Sequence, residues 1–192
     1  MTPGTPSEIR FTSERYFGLV TDGLLDPNER VELLEGVVVA MVPQNERHAS
    51  GVARVQRALY AALGPQAVIR VQLPFRASAF SVPEPDVAVL PGTIADYDLK
   101  HPDAALLIVE VSDSSLVADR LSKSRIYAAA GVPELWLVNL RDDLVEIFRE
   151  PDPGAKVYTD CRTAGVGAEI EIAALAGEAV WVRVADLIPS RG

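Results

Sequence analysis

Two acidic residues, Asp86 and Glu110, stand at or within apolar stretches of the sequence. Glu110 lies between Val109 and Val111, and Asp86 follows a proline-rich turn and opens the apolar run 87–90. Burying an ionised carboxylate in a strand costs several kcal/mol of folding free energy unless a group of opposite charge lies next to it. Two such strands therefore favour a shared cation, and carboxylate oxygens favour a hard divalent metal.

Each acid also has an ordinary structural interpretation. Glu110 could form an internal salt bridge with Lys123 or Arg125. Asp86 could end the proline-rich turn where a strand begins. Because both acids are placed at apolar runs, we favour the metal site over two unrelated structural roles.

Several short motifs follow one another in a fixed order. They are residues 31–36 (Val-Glu-Leu-Leu-Glu-Gly), His48, Pro85 with Asp86, 109–112 (Val-Glu-Val-Ser), 119–123 (Asp-Arg-Leu-Ser-Lys) with Tyr127, and 130–136 (Ala-Gly-Val-Pro-Glu-Leu-Trp). Their joint order, which runs from about Phe11 to the C-terminal strands, resembles the Uma2 (DUF820) family. That family is a branch of the PD-(D/E)XK nuclease superfamily.

The resemblance implies an α/β fold with a restriction-endonuclease-like core, in which a mixed sheet is flanked by helices and carries extra β-hairpins. It also implies that Asp86 and Glu110 bind Mg²⁺ or Mn²⁺ and that the chain is an endonuclease acting on DNA. The implied chemistry is sound, since a bound divalent cation acidifies water and stabilises negative charge on a phosphate.

The superfamily lysine is missing from its usual place, because Ser112 stands two residues after Glu110. The resemblance assigns that role to Lys123 on the following helix. Lys123 and Tyr127 share a helix face at i,i+4 spacing, so both could reach one site. The alternative for Lys123 is a solvated basic helix face.

Glu32 and His48 are the remaining candidates for the site. Glu32 is an acid in a predicted hairpin strand, and the resemblance makes it a contributor to the metal shell. His48 is the first residue of the predicted long helix. The resemblance gives it a supporting role in the site, because the family has a histidine at the equivalent place. Val37 departs from the acid that many family members carry after the turn glycine.

Three other residues with reactive side chains are given no role in the site. Glu35 lies in the hairpin turn and is interpreted as structural, and His101 precedes a proline in a loop. Cys161 is the single cysteine, which excludes an internal disulfide and a thiolate zinc cluster.

The charge balance opposes nucleic-acid binding. The chain has 18 basic and 27 acidic residues, for a net charge of −9, whereas phosphate contacts normally supply most non-specific affinity. Arg54 and Arg57, on one face of the long helix, are the nearest approach to a basic stripe. Two alternatives therefore stay open: a nuclease-like fold that acts as a binding module, and a hydrolase of a smaller phosphorylated substrate.

The apolar periodicity predicts the elements that must position these residues. The expected helices are about 12–20, 48–63 and 119–130; the expected strands are 31–34, 37–41, 68–75, 86–90, 105–112 and 135–138; the tail segments 144–149, 157–158 and 169–172 are expected to form β-hairpins at one edge.

The length of 192 residues fits one domain, over 11–192, after a disordered segment at 1–10. No apolar stretch approaches the roughly 18 residues needed to span a bilayer, and nothing at the N-terminus resembles a signal peptide, so we expect a cytoplasmic protein. We also expect a homodimer, with the C-terminal strands and Trp181 as candidate contacts.

Overall fold

The computed structural model describes residues 10–25, 29–113, 117–175, 177 and 179–190, without the side chains of 117–121. The predicted disordered segment 1–10 lies outside these residues except for Arg10. From the sequence we expect Ser114 and Ser115 to form part of the loop and cap that lead to the helix predicted at 119. Both residues also lie outside the described ranges.

A six-stranded mixed sheet forms the centre of the fold. Its strands, in spatial order, are β3 (Val68–Val71), β4 (Val87–Leu90), β5 (Leu107–Ser112), β6 (Glu134–Asn139), β7 (Leu144–Asp152) and β8 (Val157–Gly165). Strands β5 and β6 are parallel and all other neighbours are antiparallel. The parallel pair requires a crossover, which helix α3 (Val117–Ala129) supplies. The predicted mixed sheet with flanking helices is confirmed.

Helix α2 (Glu46–Leu63) covers one face of the sheet. Asn45 caps its N-terminus by accepting a hydrogen bond from the backbone N–H of His48 at 2.8 Å. Its predicted apolar face is buried through Val52, Val55 and Leu59, which join the odd-numbered residues of β4 and β5 in one core cluster.

Gly51 sets the close approach of α2 to β5. A Cβ atom at this position would lie 2.9 Å from Cγ1 of Val111 and 3.3 Å from Cδ1 of Leu140. Only a residue without a side chain fits there, so the helix packs directly on the strand that carries Glu110.

Helix α3 covers the opposite face. Tyr127 and Ala128 are fully buried against Ile108 of β5 and Leu135 of β6. Because alternate residues of a strand point to opposite faces, Glu110 shares the α3 face with Ile108. Helices α2 and α3 therefore pack on opposite faces of the sheet, and Glu110 lies on the face that α3 covers.

A separate hairpin of β1 (Val31–Leu34) and β2 (Val37–Ala40) lies beside the sheet. Glu35 and Gly36 both have positive φ, 48° and 88°, as a two-residue type I′ turn requires. Leu33 bridges to Val82, which ties the hairpin to the segment that leads into β4. The predicted hairpin is confirmed.

Helix α1 (Ser13–Thr21) packs on this hairpin, with Thr12 as its N-cap. The hydroxyl of Tyr16 donates to the carbonyl of Val31 at 2.8 Å. None of the described helices combines the length and the apolar character needed to cross a membrane.

The C-terminal part differs from the prediction in extent. Strands β7 and β8 form the expected edge hairpin but are each nine residues long. Strand β9 (Glu169–Glu171) pairs with β10 (Trp181–Arg183), and the short helix α4 (Val184–Leu187) follows. The predicted strand 68–75 ends at Val71, because Gln72 adopts φ 50°.

Glu134, a buried acid that the sequence did not single out, ties this C-terminal part to the sheet. Its Oε1 accepts hydrogen bonds from Trp136 at 2.8 Å and from Arg149 at 2.7 and 2.9 Å. Its Oε2 accepts from the backbone N–H groups of Ala173 at 2.8 Å and Ala174 at 3.2 Å. Both carboxylate oxygens of Glu134 thus accept hydrogen bonds that hold β6, β7 and the segment after β9 together.

Replacing Glu134 by alanine should therefore lower the free energy of unfolding by about 3–5 kcal/mol, because Arg149 and two backbone donors lose their acceptor. Urea denaturation would measure the change. The matched control is Glu169→Ala, which removes an exposed acid from β9 and should change stability by less than about 0.5 kcal/mol. Equal effects of the two substitutions would contradict the assigned role.

Candidate active site

A groove of about 550 Å³ opens between the β1–β2 hairpin, the N-terminus of α2, the ends of β4 and β5, and α3. All five residues predicted for the site line it: Glu32, His48, Asp86, Glu110 and Lys123. The structure thus brings together side chains from five separate parts of the chain.

Asp86 lies directly before β4 and is 6% exposed. Val87 pairs with Val109, so continuation of the register places Asp86 opposite Glu110. Its Oδ2 accepts from the N–H of Val111 at 2.8 Å. The antiparallel pairing of β4 with β5 is what brings the two acids together.

The other oxygen of Asp86 faces His48 and Gln72. The Oδ1 atom lies 3.1 Å from His48 Nε2 and accepts from Gln72 Nε2 at 3.1 Å. Burial alone would raise the pKa of Asp86, but these hydrogen bonds and the His48 charge outweigh burial and lower it. Burial would lower the pKa of His48, yet Asp86 and the neighbouring acids raise it.

Gln72 is a site residue that sequence reasoning missed. Its backbone has φ 50°, and its N–H faces the carbonyls of Pro85 and Asp86, each at 3.2 Å. A positive φ at a residue other than glycine is strained and is often found at functional sites. The apolar run that predicted one long strand gave no signal for this break.

Glu110 is held between Tyr127 and Lys123. The Tyr127 hydroxyl donates to its Oε1 at 2.6 Å, and Lys123 Nζ lies 3.3 Å from the same oxygen. Burial raises the pKa of Glu110 to about 7, against the opposing effect of Lys123. The predicted i,i+4 pair on α3 thus reaches one carboxylate.

Lys123 bridges two acids. Its Nζ lies 3.4 Å from Glu32 Oε2 as well as 3.3 Å from Glu110 Oε1. Burial opposes its charge, but Glu110, Glu32 and Asp86 outweigh burial and raise its pKa. Arg125, the other cation considered for Glu110, instead faces Glu35 at 3.6 Å.

Glu32 is 6% exposed and is fixed by the segment before β4. Its Oε2 accepts from the N–H of Glu84 at 3.2 Å. Glu84 also lines the groove and was missed by sequence reasoning, because an acid between two prolines is typical of a turn. Burial raises the pKa of Glu84, while Arg30, at 3.7 Å, opposes this effect.

The mouth of the groove contains Asp113, which the sequence places in the loop after Glu110 and hence close to a bound substrate. Asn45 donates to its Oδ2 at 2.8 Å, and Arg47 donates to its Oδ1 at 2.9 Å. Arg47 also reaches Asp143 at 3.0 Å and the carbonyl of Leu140. These contacts fix the start of the loop that follows β5.

The residues without assigned chemistry lie outside the groove lining. His101 stacks on Phe17 with ring centroids 4.6 Å apart. Glu35 pairs with Arg125 and, at 3.9 Å, with Lys156. Cys161 is exposed on β8.

The donor chemistry of the groove fits a hard divalent cation with few protein ligands. Within the described part of the chain, no three His, Cys, Asp or Glu side chains are grouped as they would be around an ion. Mg²⁺ commonly takes one or two carboxylates and completes its shell with water and substrate phosphate. Ser112 adds a buried hydroxyl in the groove that has no hydrogen-bond partner among the described residues.

The fold is a mixed sheet flanked by helices, with carboxylates and a lysine in one groove. A solved structure of the same type is that of a "putative nuclease belonging to DUF820" from Anabaena variabilis. The two chains are 16% identical and superpose with a TM-score of 0.70, over 92% of this chain and 97% of the other. At this identity the likeness establishes the fold.

The family model of Uma2, described as "Putative restriction endonuclease", matches residues 15–184. The chain belongs to the Uma2 family, as its motifs predicted. No curated protein matches it.

Proposed function

We propose that the protein is a metal-dependent endonuclease that hydrolyses phosphodiester bonds in DNA. The observation that carries this proposal is the position of the Lys123 ammonium between Glu32 and Glu110, in a groove that also contains Asp86. The nuclease type of fold and the family description support the reaction class.

Asp86 and Glu110 would hold Mg²⁺ or Mn²⁺, which when bound acidifies water and stabilises the charge that develops on the phosphate. His48 and Gln72 orient Asp86 through its Oδ1 atom. Tyr127 orients Glu110 in the same way.

Lys123 would act on the water or the phosphate. Its raised pKa keeps it charged at neutral pH, and a fixed ammonium near a reacting phosphate stabilises negative charge as it develops. Glu32 positions the ammonium from the hairpin side. Each role follows from a contact of this chain's own residues.

A smaller phosphorylated substrate is the second candidate, and the charge of the groove favours it. Among the described lining residues the acids are Glu32, Glu84, Asp86, Glu110 and Asp113, and the bases are His48 and Lys123. An acidic groove repels a polyanion such as DNA unless cations reverse its charge. A non-catalytic binding role, a homodimer and a cytoplasmic location stay predictions from the sequence.

The proposal is tested by titrating Mn²⁺ into the wild type and Asp86→Asn, followed by incubation of both with supercoiled and single-stranded DNA. We expect saturable binding and metal-dependent cleavage in the wild type, with both lost in the variant because the amide removes the charge of Asp86. The control Asp103→Asn removes an exposed acid and should behave as the wild type.

The outcomes separate the candidates. Metal binding with hydrolysis of bis(p-nitrophenyl) phosphate but not of DNA would favour the small substrate. Metal binding without either activity would favour the binding module, and absence of metal binding would contradict the metal site.

The pH dependence of Mn²⁺ affinity is a further prediction. Protons and metal compete for Glu110, whose pKa is raised to about 7. Affinity should therefore fall by up to about tenfold per pH unit below that value and level off above it. Loss of charge on His48 as the pH rises acts in the same direction, and Asp86 stays ionised because its pKa is lowered.

Titrations at several pH values would measure this profile, with Tyr127→Phe as the diagnostic variant. The Tyr127 hydroxyl stabilises the charged carboxylate, so its removal should move the midpoint to higher pH. A flat profile from pH 5.5 to 8.5, in wild type and variant alike, would show that Glu110 does not bind the ion.

A further inference from the structure

Strand β8 forms one edge of the six-stranded sheet and has an unpaired outer side. It is nine residues long and contains no proline. Apart from the carbonyl of Gly165, which accepts from Ala168, no backbone group of β8 has a described backbone partner other than β7. A long open edge of this kind is a template for pairing with another strand.

The opposite edge differs in this respect. Strand β3 has only four residues, and its sequence Val-Ile-Arg-Val carries a charge of one sign. Short, charged edge strands are a usual protection against edge-to-edge pairing. Of the two edges of the six-stranded sheet, β8 is therefore the one that presents a long open strand.

The sequence of β8 is complementary to itself in an antiparallel register. Residues 159–163 read Thr-Asp-Cys-Arg-Thr. If two copies are related by a two-fold axis at Cys161, Asp160 lies opposite Arg162 of the partner subunit, and the reverse pair forms on the other side of the axis. Thr159 lies opposite Thr163 of the partner subunit in the same register. Opposite charges and threonine pairs are both favourable across neighbouring antiparallel strands.

Most of these side chains are exposed, although the Thr159 hydroxyl also donates to the carbonyl of Glu150 at 3.1 Å. Within one copy Arg162 Nε lies 2.9 Å from Asp160 Oδ1, which places both charges on one side of the strand. The Arg162 side chain is 68% exposed, and Thr159, Cys161 and Thr163 are also exposed. Pairing would convert two isolated surface ion pairs into a four-charge cluster of alternating sign.

We propose that two copies of this chain associate along β8, antiparallel and centred on Cys161, so that their sheets become continuous. The contact is isologous, as a two-fold dimer requires. It assigns the predicted homodimer a surface and a register, and it places that surface on β8 rather than around Trp181. The proposal does not depend on nuclease activity.

The register is tested with the single native cysteine. Directly opposite residues of antiparallel strands have Cα atoms about 4.5–5.5 Å apart, within the range of about 4.4–6.8 Å that a disulfide spans. Mild air oxidation catalysed by copper(II)–phenanthroline, in buffer without chelator and without added Mg²⁺ or Mn²⁺, should convert the wild type into a covalent dimer on non-reducing gels. Cys161→Ser should give no covalent dimer but should still sediment as a dimer.

The charge pairing is tested by reversal and rescue, measured by sedimentation across a range of protein concentrations. Asp160→Arg or Arg162→Asp alone places like charges opposite one another and should weaken association by about tenfold or more. The double swap of both residues should restore it. Arg183→Asp, in an exposed ion pair with Asp186, is the matched control and should have no effect.

Several results would overturn the proposal. These are a wild type that is monomeric at all concentrations, a dimer that ignores the charge reversals, and a dimer weakened by Trp181→Ala instead. Charge-dependent association without the Cys161 cross-link would overturn the register. Circular dichroism of each variant would check that the fold is retained. None of these outcomes requires a measurement of cleavage.

Discussion

Glu110→Gln should abolish saturable Mn²⁺ binding and lower the rate of DNA cleavage by on the order of 10³. Glutamine retains the shape of the side chain and can still accept from Tyr127, but it removes the charge that a divalent cation requires. Asp86, the other proposed ligand, is already engaged by hydrogen bonds to both of its oxygens. We therefore expect Asp86 alone to bind the ion too weakly for saturable binding.

The control for this substitution is Glu134→Gln, a second buried acid on the adjacent strand. Glu134 lies outside the groove lining and accepts only structural hydrogen bonds. The Glu134→Gln variant should be less stable than the wild type but should bind Mn²⁺ with wild-type affinity. The Glu110→Gln variant should lose Mn²⁺ affinity but keep most of its stability. Isothermal titration and urea denaturation measure the two quantities. Unchanged Mn²⁺ affinity in Glu110→Gln would remove the basis of the metal site.

Lys123→Met should lower the cleavage rate by about 10²–10³ while Mn²⁺ affinity is retained or increased. The ammonium is a competing cation, because it lies within 3.4 Å of Glu32 and 3.3 Å of Glu110. Its loss leaves two buried acids without a counterion, so the metal-free protein should be less stable, by up to about 3–5 kcal/mol. Added Mn²⁺ should raise its melting temperature more than that of the wild type.

Arg125→Met provides the comparison on the same helix. Arg125 is half exposed and pairs with Glu35 in the hairpin turn, so it should change neither cleavage nor the response to Mn²⁺. A Lys123→Met protein that cleaves at the wild-type rate would show that Lys123 is only a structural counterion. Parallel losses in both variants would point to a general effect of charge on the helix.

The sequence was sufficient to predict the part of the site that rests on local pattern. Glu110 interrupts one apolar strand and Asp86 opens another, as the sequence shows, and the family resemblance made the two strands neighbours. The structure shows that they pair antiparallel. Lys123 and Tyr127 follow from helical spacing. These positions depend on regular elements whose periods are visible in the residues.

Gln72 and Glu84 could not be found in the same way. Gln72 acts at a point where the strand breaks at positive φ, and its partner Asp86 lies beyond a turn. Glu84 lies in a turn whose local sequence explains it without any site. Contacts between irregular segments form only in the assembled fold, and the sequence of such segments has no periodic pattern that would predict them.

The C-terminal strands show a related limit. Residues of β8 are mostly exposed, so the strand lacks the alternation of apolar and polar residues by which strands are recognised. The β9–β10 pair is joined to the sheet through the buried carboxylate of Glu134. Its position is set by long-range hydrogen bonds, which short stretches of sequence do not reveal.

The missing side chain at Gly51 sets the spacing between α2 and β5 at the groove. His48 lies one helical turn before Gly51, so the gap between helix and strand also fixes how far His48 stands from Asp86. A single added methyl group would push α2 away from β5 and shift His48 relative to Asp86, although no groove residue would change its type. The distance between His48 and Asp86 thus depends on Gly51, a residue that has no side chain and no chemical role in the groove.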